Sequence, residues 1–293
     1  MSFLKRLFKK QEKVHKVNVQ KAYQLHNRVG QGSMSKVWKA TDPASQSLVA
    51  VKVLDKAKLV RLNQRFQGLA RPTEGQIAVL LNHPNIVKTH LHGITTDDEE
   101  YLVMEFIEGV SLSYLVEVQN ERMRENCIWY AIQLGEAMNY LHSNEWIHRD
   151  LCPRNIMVTN DELVKVIDFG LMVPNTPDFR KPGNRTGTAN YMAPELITRQ
   201  PTDERIDIYS YSVTCFEMFT GELPWPAADS LEAVLQHVNQ PPKDILKLRP
   251  DLDEQIANTI MQGLERNPDD RWRTMRRMIN EFRAAGERLY PDV

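Results

Sequence analysis

Four short segments of this 293-residue chain carry the side chains best suited to chemistry: GQGSMSKV (Gly30 to Val37), VAVK (Val49 to Lys52), HRDLCPRN (His148 to Asn155) and DFG (Asp168 to Gly170). Glycines at 30 and 32 let backbone N–H groups approach phosphate oxygens without a Cβ in the way. Lys52 follows an apolar run, and a lysine facing a partly buried site needs a counter-charge. Glu74 is the candidate; pairing would aim the ammonium at the α- and β-phosphates of a nucleotide. Asp150 can accept a hydroxyl's proton or hydrogen bond and orient the attacking oxygen. Asn155 offers an amide oxygen and Asp168 a carboxylate, hard ligands that suit Mg²⁺ (or Mn²⁺) shared with phosphates. Taken singly, a Gly-x-Gly also reads as a hairpin, and an isolated aspartate as a cap or turn residue. In this order and spacing, the residues form the set needed to move the γ-phosphoryl of ATP onto a hydroxyl.

Two kinds of element must position them. From Tyr23 to Phe106 the pattern is mostly strands: YQLHNRV, KVWKAT, SLVAVKVL, VKTHLHGI and YLVMEF are rich in Val, Leu and aromatics and are punctuated by turn residues. Lys52 is expected to end its strand. One helical stretch is expected from about Leu59 to Asn82, with a kink or late start near Pro72, because Pro72 and Gly75 both weaken a helix interior. From Leu112 helices dominate. The longest is expected over Glu121 to Ser143, where Ile128, Ala131, Leu134, Met138 and Leu141 recur at helical spacing. Short strands are expected at 156–158 and 163–168. The segment Met172 to Arg185, with Pro174, Pro177, Pro182 and Gly183, is expected to be a mobile loop.

Bulk properties narrow the classes further. The net charge of -1 gives no whole-molecule field toward nucleic acid. Cys127, Cys152 and Cys215 are scattered without a Cys-x-x-Cys, which fits a reducing cytoplasm rather than zinc or disulfides. No apolar run approaches the ~20 residues of a membrane span, and no secretory signal is read. Residues 1–16 stand apart: Lys5, Arg6, Lys9, Lys10, Lys13 and Lys16 against Glu12 give a net +5. In a helix Phe3, Leu4, Leu7 and Phe8 would share one face. This suits a weak anchor at the inner membrane face or a docking peptide. A frayed basic tail or a helix capping the small lobe is the plainer reading.

With these segments the chain resembles a eukaryotic-type protein kinase catalytic domain, serine/threonine class, and is most similar to bacterial members. The resemblance implies an α+β, two-lobed fold: a small antiparallel β-sheet lobe with one main helix (about 23–106) and a larger, mostly helical lobe (about 107–285). Residues 1–22 form an extension and 286–293 a tail. ATP is expected between the lobes, its phosphates covered by Val29, Gly30, Gln31, Gly32, Ser33, Met34, Ser35, Lys36 and Val37. MEFIEG implies adenine bound by backbone groups of Glu105 and Ile107, with Met104 as gatekeeper. Ser111 falls where the family contacts ribose, and Ala50 and Met157 belong to the same nucleotide site. His148, Arg149, Phe169 and Gly170 take structural or regulatory positions. Asp207 is expected to hold the backbone of the catalytic loop. Glu195 of the Ala193-Pro194-Glu195 segment is expected to pair with Arg271. Thr188 matches the threonine whose hydroxyl bonds the catalytic aspartate in serine/threonine members.

Three positions depart from the family pattern. Ser35 stands where a third glycine is usual. Cys152 stands where serine/threonine members carry a lysine that touches the γ-phosphate, which removes one positive charge from the transition state. Arg154, four residues after Asp150, either compensates, as an arginine does in tyrosine-specific members, or is a surface arginine. Thr176 and Thr186 are candidate phosphosites, with Arg149, Arg180, Lys181 and Arg185 as cationic partners. The expected activity is ATP-dependent phosphorylation of protein Ser/Thr hydroxyls, autophosphorylation included. A nucleotide-binding scaffold without transfer is the alternative, motivated by Cys152, Ser35 and the Pro72/Gly75 helix.

Overall fold

The structure, a computed structural model, describes residues 16–31, 34–183 and 185–291. The expectations for residues 1–15, Gly32 and Ser33 fall outside the described residues. The chain divides into two compact units, the first ending at Glu108 and the second beginning at Gly109.

In the first unit, β1 (Lys16–Val17) and α1 (Val19–Ala22) lead into β2 (Gln24–Gln31), β3 (Ser35–Thr41) and β4 (Leu48–Leu54). Then follow α2 (Lys56–Gln64), α3 (Glu74–Ala78), β5 (Thr89–Thr95) and β6 (Glu100–Glu105). The strands form one sheet in the order β1-β5-β6-β4-β3-β2, antiparallel except where β1 runs parallel to β5. Period-two alternation sorts β4 into two faces. Val49 and Val51 join Val19, Ala40, Tyr101 and Val103 in a buried cluster, and Ala50 and Lys52 take the opposite face. The strand does not end at Lys52 but continues to Leu54, so the lysine is held by neighbours on both sides, in register with Val37 and Leu102.

The helical stretch expected from Leu59 to Asn82 is two helices, with the late start expected near Pro72 falling at Glu74. Local breakers separate them: Gly68 takes φ +83 and Pro72 lacks an amide hydrogen. A new helix then starts at Glu74 behind Thr73, whose side chain accepts from Gln76 N while the Gln76 side chain accepts from Thr73 N, a capping box.

The second unit begins with β7 (Gly109–Ser111), α4 (Leu112–Val118) and α5 (Glu121–Ser143). Next come β8 (Trp146–Ile147), β9 (Ile156–Thr159), β10 (Val164–Val166) and β11 (Val173–Pro174). Then follow α6 (Pro177–Arg180), α7 (Pro194–Ile197), α8 (Arg205–Thr220), α9 (Leu231–Asn239), α10 (Ile245–Leu248), α11 (Glu254–Gly263) and α12 (Met275–Leu289). The strands make a β10-β9-β7 sheet and a β11-β8 pair. Helix α5 has the expected bounds, set by an Asn120 side chain that accepts from Met123 N. Buried on nearly every side, α8 is the centre of the unit. Its Tyr211 hydroxyl donates to Ala131 O on α5 at 2.6 Å, and the Tyr211 ring meets Phe282 of α12 edge-on.

The segment expected as a loop from Met172 to Arg185 contains two regular pieces. Val173 and Pro174 pair with β8, and α6 begins with Pro177 in its first turn, where the missing N–H is not needed. Among the described residues no helix is long and apolar enough to cross a membrane.

Candidate active site

The candidate residues fall into one set per unit. In the first, the Lys52 ammonium donates to Glu74 Oε1 at 2.6 Å. Both residues are buried, 4% and 6% exposed. A buried ammonium is tolerable only when paired, and the Glu74 carboxylate supplies a partner at hydrogen-bond distance. Helix α3 can bring Glu74 this close because residue 75 is glycine: a Cβ at Gly75 would lie 2.6 Å from His92 Cβ and Cγ on β5. Ala50 pairs with Met104 across β4 and β6, both buried. Glu105 is tied down by its N–H to Lys88 O (2.9 Å) and by its side chain, which accepts from Lys88 N. Gly30 pairs with Val37 across the β2–β3 hairpin, and Ser35 is buried. Val29 is half exposed, and Met34 and Lys36 flank Ser35 on the hairpin's return.

The second set is built around Asp150. Its Oδ1 accepts from Thr188 Oγ1 at 2.8 Å and from Thr188 N at 2.7 Å. Its Oδ2 accepts from Asn155 Nδ2 at 3.0 Å, and the same nitrogen donates to Asp150 O at 2.8 Å. Burial pushes the Asp150 carboxyl above the usual carboxylate range. Hydrogen bonds from Thr188 and the nearby His148 pull against that shift, and the charge of Asp168 adds to it. A base held above its ordinary pKa is a better proton acceptor near neutrality.

The loop carrying Asp150 hangs from Asp207 on α8. That carboxylate is fully buried and accepts from His148 N and Arg149 N, each at 2.8 Å, and lies 2.9 Å from His142 Nε2. Burial opposes its charge, but the His142 and His148 contacts outweigh it and hold its pKa below the usual range. Arg149 adopts φ +70. Gly187 adopts φ +134, where a Cβ would come 2.7 Å from Arg149 O, so the Thr188 segment can reach Asp150 only through glycine. Phe169 is buried with its ring edge-on to His148. Gly170 N donates to Asp168 Oδ1 at 2.9 Å.

Other expected partners meet as well. Arg271 grips Glu195 with two 2.7 Å bonds, both residues buried. Ser111 caps α4 by accepting from Tyr114 N, and Met157 pairs with it across β7 and β9. Arg154 is exposed. Thr176 is half-buried and Thr186 is buried.

Sequence reasoning did not anticipate three contributors. His142 closes the Asp207 cluster from the last turn of α5. Tyr191 donates to Glu217 at 2.5 Å, fastening the turn after Thr188 to α8. Gly187 makes the close approach just described. Only Gly187, a glycine immediately before Thr188, leaves a trace that sequence could have supplied.

The donor types of the second set suit a divalent cation: Asn155 commits its Nδ2 to Asp150, which leaves its amide oxygen as a hard donor, and the Ile167 N to Asn155 O bond (3.0 Å) ties its backbone to the residue before Asp168. Among the described residues there is no group of three or more His, Cys, Asp or Glu able to hold a metal alone.

Comparison with known proteins agrees. A family model described as protein kinase domain matches residues 23–282. A probable serine/threonine-protein kinase of Clostridium acetobutylicum is 31% identical over 265 residues, 89% of this chain and 39% of that protein. Serine/threonine-protein kinase PknB of Mycolicibacterium smegmatis is 31% identical over 277 residues, covering 92% and 44%. PknB of Mycobacterium tuberculosis is 32% identical over 262 residues, covering 87% and 41%. The chain thus spans less than half the length of these relatives. With the family model covering most of its residues, the chain belongs to the protein kinase family.

Proposed function

We propose that the chain is an ATP-dependent serine/threonine protein kinase whose catalytic part spans about residues 23–285. One observation carries the reading: the Asp150 carboxylate is fixed by Thr188 and Asn155 and kept above its ordinary pKa. In this reading Lys52, aimed by Glu74, binds the α- and β-phosphates. Backbone groups of Glu105 and Ile107 hold adenine, and the Gly30–Val37 hairpin covers the phosphates. Asn155 and Asp168 hold Mg²⁺, which when bound neutralises charge on the β- and γ-phosphates. Asp150 orients the substrate hydroxyl for in-line attack and takes its hydrogen bond. The Thr188 hydroxyl on Asp150 favours Ser/Thr acceptors, following the family pattern, and the relatives' names agree. The proposed setting is the cytoplasm, with residues 1–16 as a weak contact to an anionic membrane face, motivated by their net +5 charge.

Incubation with Mg-ATP and mass-spectrometric phosphosite mapping tests this. The expected result is phosphoserine and phosphothreonine on protein substrates and on the chain itself, abolished by Asp150→Asn. A nucleotide-dependent rise in melting temperature with no transfer above Asp150→Asn would instead make the chain a nucleotide-binding scaffold.

A further inference from the structure

Helix α3 meets the sheet of its unit at two side chains of one row. Lys52 on β4 and His92 on β5 both pair with Leu102 of β6, so they flank Leu102 on one face of the sheet. Strand spacing puts the two about 10 Å apart. The first turn of α3 bridges that gap. Glu74 reaches Lys52 at 2.6 Å. At the next residue the helix backbone meets the imidazole: a Cβ on Gly75 would stand 2.6 Å from His92 Cβ and Cγ and 2.8 Å from its Nδ1. Among the described residues the His92 ring makes no hydrogen bond or ion pair, and its outer side is exposed. Its contribution is therefore bulk under Gly75.

We infer that His92 is a positioning residue: its imidazole is the seat on which the first turn of α3 rests, and that seat sets the reach of Glu74 to Lys52. In the kinase reading above, on which this rests, Lys52 binds the phosphates and Glu74 aims it. Ile77 and Ala78 are fully buried behind the contact, so the helix is already pressed against its unit. The bulk of residue 92 then decides how its first turn stands over β5. A hydrogen bond of 2.6 Å lengthens into a weaker contact when that turn tilts.

The seat also responds to pH. The charged groups on the elements around the ring are Glu74 on α3, Arg71 just before it, Glu100 on β6, Lys52 on β4 and Lys16 on β1, opposite Ile94; His90 lies on the same strand. They are of both signs, and the covering of the ring's inner edge lowers the His92 pKa. The neutral ring is thus the seated form. Protonation favours withdrawal, which sets in as pH falls through the ordinary histidine value of about 6.5 and is complete below the lowered one.

The test uses the full chain with H92A and H92F; the second keeps a planar ring at Cγ and removes the proton. Hydrogen exchange at Ile77 N and Val79 N, which donate to Thr73 O and Gly75 O, reads the seat without needing turnover. The kcat/KM for Mg-ATP with a serine peptide reads its consequence. H92A is expected to speed exchange at both amides and to lower kcat/KM on the order of fivefold, mainly through the KM for ATP. H92F is expected to keep both at the wild-type level at alkaline pH. Wild type should then fall below H92F as pH drops under about 6.5; the ratio of the two proteins cancels the titration of the nucleotide and of Asp150. An H92A protein with wild-type exchange and kcat/KM overturns the inference. So does an H92F protein as impaired as H92A. A ratio of wild type to H92F that is flat with pH overturns the pH response. Transfer absent from wild type overturns the kinase reading and the positioning role with it, whereas transfer present with α3 exchange unmoved by H92A overturns the positioning role alone.

Discussion

Glu74, buried, and Asp150, half-buried, are both carboxylates assigned to aim another group, yet the two units hold them by different means. Glu74 is the first residue of α3, five residues long. A helix that short has no stability of its own in water. It exists because Thr73 and Gln76 cap it, because Gly75 lets it lie against β5, and because Lys52 meets its first carboxylate. Asp150 is tied to Thr188 and Asn155, and its loop is tied to Asp207 in the middle of α8, a sixteen-residue helix buried on nearly every side. The first carboxylate rests on a local, separable arrangement; the second is continuous with the core of its unit. Damage to the first should cost activity before stability, and damage to the anchor of the second should cost both.

The largest effect is therefore expected at Asp207. Asp207→Ala leaves His148 N and Arg149 N without their acceptor and His142 without its partner, inside the core. The expected loss is about 3–5 kcal/mol of unfolding free energy, read by denaturant titration, with phosphoryl transfer lost. The pH dependence follows from the direction of its pKa. The folded-state value lies below the unfolded one, so the contribution is present above the ordinary carboxylate range and is lost as pH falls through the lowered folded value. Asp207→Asn should flatten that part of the acid-unfolding curve. An Asp207→Ala protein as stable as wild type would show that the second carboxylate is as separable as the first.

Gly75→Ala probes the other side. The new Cβ would stand 2.6 Å from His92, so α3 must withdraw from β5, carrying Glu74 with it. Held in place, a helix overpacked in this way would cost about 1–3 kcal/mol, which the withdrawal of α3 relieves. Because α3 is local, the change should register mainly as a tenfold or greater fall in kcat/KM, on the order of one 1.4 kcal/mol step, with global unfolding hardly shifted. If Gly75→Ala instead unfolds the protein while the surviving fraction stays fully active, the contrast between the units is wrong.

The features that could be read from sequence are those whose cause is local. The β4 alternation separates Lys52 from the valine core within seven residues. The bounds of α5 follow from Asn120 and an unbroken helical period. Lys52 with Glu74 can be matched by charge even at a distance, whereas Arg271 with Glu195 is implied only by the family resemblance. What escaped is set by packing between distant segments. His142 meets Asp207 only because α5 lies against α8, sixty-five residues on, and Tyr191 finds Glu217 for the same reason. In the stretch from 59 to 82 the break at Pro72 is legible from sequence, because its cause is local, but the extra break at Gly68 and the Thr73 capping box that starts the second helix are not. In residues 172–185 the prolines suggest irregularity, yet Pro177 opens α6 and Pro174 pairs in β11.

The smallest expected effect is also the most specific to the second set. Thr188→Ala removes the hydroxyl bond to Asp150 Oδ1 but keeps the backbone N–H bond, so the loop should hold its place. Burial already lifts the Asp150 pKa and the Thr188 hydroxyl works against that lift, so its removal should raise the value further. Asp150 acts when deprotonated. The acid limb of the kcat/KM profile should therefore start above the usual carboxylate range in wild type and move to still higher pH in Thr188→Ala. At neutral pH the loss should be about tenfold at most, the range of one hydrogen bond, shrinking as pH rises, and Thr188→Ser should restore the wild-type limb. An acid limb that stays in place or moves down would mean that the hydroxyl does not govern the protonation of Asp150. The second carboxylate would then be held in position by the core but not tuned by it.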